Sequence, residues 1–389
     1  MQTDWTAARA AMMLDPTVIN LNSGSFGPTP RPVFERVTEL RRHLAAEPMD
    51  FLVRQLPPLL WRARERLAAF LGSSPEHLVF RDNVTAAINL VASSLRIESP
   101  GEILMSDREY GAMQWCWERA AARQGLSVRY FKLPLMPASP DEIVASVERA
   151  ITPKTRLLFF SHVYSATGLI VPAKELCSLA RRRGIVSVVD GAHAVAMIDL
   201  NLTNIGADYY GGNCHKWLFA PIGSGFLVAS AEALDRLEPF QVSWGYRDRR
   251  SDERDEYGST PRVRRLEFEA TRDTCAWLAV PDAIDFQTSL GWEAIRDRVA
   301  QLAAYTRDHI SELELTTPID AMLHGAMTTF WWPTGFEAAD LRRRLWDRKI
   351  EAIIGEWPEG LTLRVSTPFF TTEPEIDSLA GFVRDTLAQ

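Results

Sequence analysis

Between residues 57 and 230, short apolar runs alternate with longer stretches whose apolar positions recur at three- and four-residue spacing. The short runs are "HLVF" (77–80), "EILMS" (102–106), "VRYFKL" (128–133), "RLLFFSH" (156–162), "VSVVD" (186–190), "DYYGG" (208–212) and "GFLVAS" (225–230), and each predicts a strand. Helical patterns fall between most of them, such as "AAINLVASSL" (86–95) and "AKELCSLARRRG" (173–184), the second closing with a glycine stop. Near-continuous apolar strands interleaved with helices predict an α/β fold with a mostly parallel sheet covered on both faces. In such sheets ligands bind beyond the carboxyl ends of the strands, and His162, Asp190 and Gly212 fall at such ends.

The pattern then changes. Residues 247–265, "RDRRSDERDEYGSTPRVRR", carry dense charge of both signs and predict an exposed loop or flap. From about 275, long helices (281–313, 336–348) and a short strand pair around "TTFWW" and "LTLRVS" predict a smaller α+β unit. We divide the chain into a large domain, 15–274, and a small domain built from 1–14 and 275–389.

Composition removes several classes of function. A net charge of −7 is the wrong sign for a nucleic-acid binder, and Arg181, Arg182 and Arg183 read as the solvated face of a helix. The four cysteines are scattered and form no C-x-x-C pair, so neither a disulfide framework nor a metal centre is expected. The first residues lack the basic start and apolar core of a signal peptide, and no apolar run approaches the ~18–20 residues of a membrane span. The expectation is a cytoplasmic protein with no membrane and no nucleic-acid partner.

Only five lysines occur (Lys132, Lys154, Lys174, Lys216, Lys349), and Lys216 stands out among them. It follows His215 and precedes Trp217, Leu218 and Phe219. Apolar neighbours strip an amine of hydration and lower its pKa, which suits it to bond with an aldehyde. Pyridoxal phosphate needs such a lysine, a carboxylate for its ring nitrogen, a phosphate cup and a group over the ring. Asp190, in "VVDGAHA", can supply the carboxylate. Asn83, Val84 and Thr85 precede a predicted helix, whose free N–H groups favour an anion; Asn83 or Thr85 serves equally well as a plain N-cap.

With these residues in place the chain resembles the class V aminotransferase group of fold-type I pyridoxal phosphate enzymes. The likeness is greatest to the isopenicillin N epimerase-like branch and its C–S lyase relatives. It is carried by "NLNSGSFGPTP" (20–30), "FRDNVTAAINLVAS" (80–93), "DREYGAMQ" (107–114), "SHVYSATGLIVP" (161–172), "VVDGAHA" (188–194), "GADYYGGNCHKWLFAPIGSGFL" (206–227), "VSWGY" (242–246) and "EATRDTCAWLAVPDAI" (269–284). They occur in family order along nearly the whole chain. The resemblance implies that Lys216 holds the cofactor and moves the substrate's α-proton, that Asp190 pairs with the ring nitrogen, and that His193 lies near the ring hydroxyl. Tyr110 would stack on the ring, while Thr85, Asn213 and His215 match phosphate ligands. Ser165 stands where desulfurases carry asparagine. Thr271 would reach the phosphate of a neighbouring subunit, which implies a homodimer with shared sites. Arg364, with Asn22 and Ser25 nearby, would hold the carboxylate of an amino-acid-like substrate.

The activity implied is chemistry at an α-carbon: epimerisation first, with C–S β-elimination or transamination as alternatives. A pyridoxal-fold sensor without catalysis is a further reading, which the presence of both Lys216 and Asp190 disfavours. No cysteine follows Cys275, so a persulfide-carrying desulfurase is excluded. Phe369 and Phe370 depart from the polar and Tyr-Asn continuation of the branch, and so bear on substrate choice. Trp115, Trp117, Trp244, Trp331, Trp332 and Trp357 fall near pocket segments; two or three of them in the pocket would favour a bulky substrate.

Overall fold

Residues 3–246 and 251–388 are described by a computed structural model. The seven apolar runs form one sheet. Its strands are β1 (Leu78–Arg81), β2 (Glu102–Ser106), β3 (Ser127–Phe131), β4 (Thr155–Ser161), β5 (Val186–Gly191), β6 (Tyr209–Asn213) and β7 (Gly225–Ala229). They lie in the order β1-β7-β6-β5-β4-β2-β3. From β3 to β6 neighbouring strands are parallel, and only β7 runs against its two neighbours.

Successive side chains of a strand point to opposite faces. Val79, Ile103, Leu157, Val188 and Tyr209 therefore join one core, under the helices α1 (Val84–Ser94) and α2 (Gly111–Gln124). Phe80, Leu104, Leu158, Val189 and Tyr210 join the opposite core, with the helices at Leu56–Phe70 and Ala173–Arg182. With both faces covered, polar side chains gather at the strand ends. Ser161, Asp190 and Asn213 close β4, β5 and β6 on the same side.

The C-terminal strand pair is the centre of a four-stranded antiparallel sheet. It contains β8 (Glu314–Leu315), β9 (Met327–Trp331), β10 (Ile353–Trp357) and β11 (Gly360–Ser366), in the order β10-β11-β9-β8. Ile19–Asn20 pairs in parallel with Ile350–Glu351, and Leu21 O accepts from Ser366 N–H at 2.8 Å. The chain thus passes along the small sheet before entering the loop at 22–27.

Three expectations are corrected. The helix expected over 281–313 is two, Val280–Leu290 and Trp292–His309, parted by Gly291 at φ 87°, a left-handed backbone that ends the first helix. Of the expected flap, residues 247–250 lie outside the described residues, and its end is a buried helix, α3 (Pro261–Glu267). Val263 and Leu266 fill the core under α3, and the arginines beside them find acids: Arg262 pairs with Asp235 and Asp252, and Arg264 with Asp255. Charge that reads as solvent-facing is instead neutralised in place. Phe369 and Phe370, finally, are buried against Phe219, Ala8 and Met12, so they pack the core.

Candidate active site

Lys216 stands on the loop between β6 and β7. Ala220 N–H donates to Cys214 O at 3.0 Å, and Phe219 takes φ 58°, so this segment is held in a tight, strained turn. The loop at 22–27 packs directly on it: Gly27 N–H donates to His215 O at 3.1 Å, and a Cβ on Gly27 would lie 2.0 Å from Lys216 O. Only glycine allows that approach.

Lys216 Nζ lies 3.0 Å from His193 Nε2, and Trp217 Nε1–H donates to His193 Nδ1 at 3.3 Å. Burial lowers the lysine to about 8; Asp190 pulls it back up and Arg364 pushes it further down. Burial also carries the His193 ring well below its ordinary value, helped by the positive charges of Lys216 and Arg364. Asp190 is buried at the end of β5, with Ala192 N–H donating to its Oδ1 at 2.8 Å. Burial raises its carboxyl, while that hydrogen bond and Lys216 oppose the rise.

Arg364 comes from β11, on the small sheet, and is also buried. Its Nη1 donates to Ser165 O (2.6 Å) and Oγ (3.1 Å), and its Nη2 to Asn22 Oδ1 (3.1 Å) and Ser25 Oγ (3.2 Å). These partners are all neutral oxygens, and Nε has none among the described residues. Burial without a counter-ion lowers the guanidinium to about 10. Site residues expected from three separate segments, the 22–27 loop, Ser165 and β11, thus meet around one cation. Arg364, Ser165 and Tyr110 line a cavity of about 170 Å³, closed by Trp357 and Arg108. Trp357 is the only one of the six expected tryptophans on that cavity's wall. Tyr110 is 54% exposed there, immediately before α2.

At the start of α1, Asn83 Oδ1 accepts from Ala86 N–H at 2.9 Å as an N-cap, and Val84 N–H donates to Asn213 Oδ1 at 2.8 Å. Two expected cofactor residues therefore satisfy each other. Thr85, exposed, presents the first-turn N–H left without a partner among the described residues. A Cβ on Gly225 would sit 2.7 Å from Asn83 Cα, so β7 can press against this helix start. His215 is buried, with Nδ1 3.4 Å from Ser224 O, and burial lowers its pKa. Thr271 is not brought to this group: it is exposed on the wall of a separate, largely apolar cavity of about 630 Å³.

Glu109 escaped the sequence reading, and His162, placed there at a strand end, has a partner that the sequence did not show. Glu109 is fully buried beside Tyr110 and accepts from Ser106 Oγ (2.9 Å), Tyr164 OH (2.8 Å) and Ser161 Oγ (2.6 Å). Burial lifts it to about 7 against those hydrogen bonds, and Asp190 adds to the rise. His162 Nδ1 meets Tyr210 OH at 2.8 Å, and burial takes that imidazole down to about 4. The available signal for Glu109 was its place just past the end of β2, an address shared with the other strand-end residues.

The family description of class-V aminotransferases matches residues 19–379. The chain belongs to the class-V aminotransferase family. It is 55% identical to an isopenicillin N epimerase of Streptomyces clavuligerus over 385 residues, 97% of each chain. It is also 55% identical to that of Amycolatopsis lactamdurans, covering 98% of both. Among solved structures it resembles C-DES with glycine covalently linked to the PLP cofactor: TM-score 0.82, 22% identity, 95% of this chain and 97% of the other. This class-V aminotransferase-family enzyme depends on pyridoxal 5′-phosphate, and the residues present fit that cofactor. An amine of lowered pKa, a buried carboxylate with one N–H donor, a helix start with a free N–H and a buried guanidinium without a counter-ion occupy one end of the sheet. No helix among the described residues is long and apolar enough to cross a membrane.

Proposed function

We propose that this chain is an epimerase of the isopenicillin N type, inverting the α-carbon of an amino-acid group with Lys216 as its acid–base residue. The observation that carries the reading is 55% identity to two isopenicillin N epimerases over nearly the full length of each chain. Bound pyridoxal phosphate supplies an electron sink for the pair left on the α-carbon when a bond to it breaks.

The chain's residues do the rest. Thr85, Asn213 and His215 hold the phosphate, with the start of α1 adding its dipole. Asp190, with Ala192 N–H donating to it, would hold the proton of the ring nitrogen, and His193 would face the ring hydroxyl. Arg364 takes the α-carboxylate in a bidentate pair, while Asn22, Ser25 and Ser165 keep the guanidinium plane fixed. Lys216, at about 8, exchanges a proton near neutral pH. Inversion also needs a proton donor on the other face, and Tyr110, on the same cavity as Arg364, is the group suited to it.

The reading extends to a cytoplasmic homodimer. Four free, buried cysteines suit a reducing compartment, and Met49, Val53, Trp244 and Tyr257 are exposed apolar residues on the 630 Å³ cavity that also holds Thr271. Thr271 would reach the partner's phosphate from there. Sedimentation at micromolar concentration should return twice the chain mass; a monomer would refute the shared site.

The activity test uses isopenicillin N and the purified holoenzyme in deuterium oxide. Epimerisation predicts approach to a mixture of the two epimers with deuterium at the inverted carbon and no keto acid. Sulfide release from cysteine or cystine, offered in a parallel assay, would move the chain to the C–S lyases, and keto-acid formation from isopenicillin N to the transaminases.

A further inference from the structure

The indole of Trp217 and the amine of Lys216 contact the two nitrogens of one imidazole. An indole N–H donates and cannot accept. His193 Nδ1, which receives it at 3.3 Å, must therefore present a lone pair. The ring is buried, the main cause that disfavours its charge, and Arg364 adds a positive charge nearby, so it is neutral. A neutral imidazole with a bare Nδ1 carries its proton on Nε2. That N–H lies 3.0 Å from Lys216 Nζ, which then has to accept, and only an uncharged amine can.

We propose that Trp217 is a positioning residue whose indole N–H locks His193 in the Nε2–H tautomer and thereby holds Lys216 as a free amine. The converse arrangement, an ammonium donating to a bare Nε2, puts the imidazole proton on Nδ1. It would set two N–H groups head to head in a buried site. Trp217 has little freedom to turn away. Its side chain is 3% exposed, and its carbonyl accepts from Gln287 Nε2 at 2.8 Å.

The other charged or titratable groups facing the amine come from three elements. Asp190 at the end of β5 favours the ammonium; Arg364 from β11 opposes it, as does His215 on the same loop if it ever charges. The tautomer decides between these opposing fields. The inference deepens the reading of Lys216 as the cofactor's lysine and rests on it for its catalytic consequence; the tautomer itself is independent of any ligand.

The test is nitrogen-15 NMR of the full-length, cofactor-free protein labelled at histidine, with the Trp217→Phe variant beside it. In the wild type His193 should show a bare Nδ1 and a protonated Nε2. In Trp217→Phe the proton should move to Nδ1. The midpoint of the pH dependence of cofactor uptake should also rise by about one pH unit, a tenfold change in free amine at a given pH. A protonated Nδ1 in the wild type overturns the proposal, as does a folded Trp217→Phe with unchanged tautomer and midpoint. If the variant fails to fold, the wild-type spectrum still decides. Failure of the cofactor to attach at Lys216 would sink the functional reading while leaving the tautomer result standing.

Discussion

Two regions of this molecule bury arginine and carboxylate side chains, and they treat the charge in opposite ways. Under α3, Arg64 and Glu267 form a bidentate pair with side chains 0% and 4% exposed, and Glu267 also accepts from Phe80 N–H. Arg81 beside it pairs with Glu269. At the carboxyl end of the sheet, by contrast, Arg364 is held by neutral oxygens, Glu109 by hydroxyls and an N–H, and Lys216 by a neutral imidazole. Desolvation alone disfavours each of these charges, and an oppositely charged partner is what normally offsets it. The first region has its partners in the chain and is structural. The second fits the proposal that a cofactor and a substrate bring the missing charges.

That contrast breaks most visibly under α3. Glu267→Gln leaves Arg64 buried without its counter-ion and should cost about 3–5 kcal/mol of stability, measured by urea unfolding. A loss below about 1 kcal/mol would erase the distinction. Arg364→Met should behave differently. Asn22 keeps its bonds to Ser25 (2.8 Å) and Glu351 (3.0 Å), so stability should change by under about 1 kcal/mol. Instead KM for an α-carboxylate substrate should rise about 30- to 100-fold, about 2–3 kcal/mol, with a smaller change in kcat.

Glu109 sharpens the comparison by pH. Its carboxyl is raised from 4.5 to about 7, chiefly by burial, so the folded chain binds a proton that the unfolded chain has released. This contribution is fully present below about 4.5 and is lost as pH climbs through 7. Unfolding midpoints at pH 5 and pH 8 should differ in the wild type, and by less in Glu109→Gln. That variant should also lose about 1–2 kcal/mol, because its amide N–H groups cannot replace a carboxylate surrounded by donors. An equal slope in both proteins would assign the pH dependence elsewhere.

Much of this arrangement could be read in the sequence, and the failures have physical causes. All seven strands of the sheet were visible because strands buried on both faces are apolar throughout, and that placed His162, Asp190 and Gly212 at strand ends. Lys216 was visible through its aromatic neighbours. The α3 helix was not, because Arg262, Arg264 and Arg265 look solvated until their partners, tens of residues or more away in some cases, are known. Glu109 was hidden in the polar run "DREY" for the same reason: its burial comes from Ser161 and Tyr164, 52 and 55 residues further on. For Phe369 and Phe370 the sequence showed a departure from a motif but not that both rings pack on Phe219, since position in a motif does not reveal which way an aromatic ring packs.

Everything proposed for this end of the sheet depends on Lys216 being the residue that takes the cofactor. The holoenzyme should be treated with borohydride, digested and its peptides weighed. The account predicts that the visible absorption band disappears and that the added cofactor mass sits on the peptide containing Lys216. Cofactor fixed to Lys132, Lys154, Lys174 or Lys349 instead, or fixed to no lysine, would contradict it.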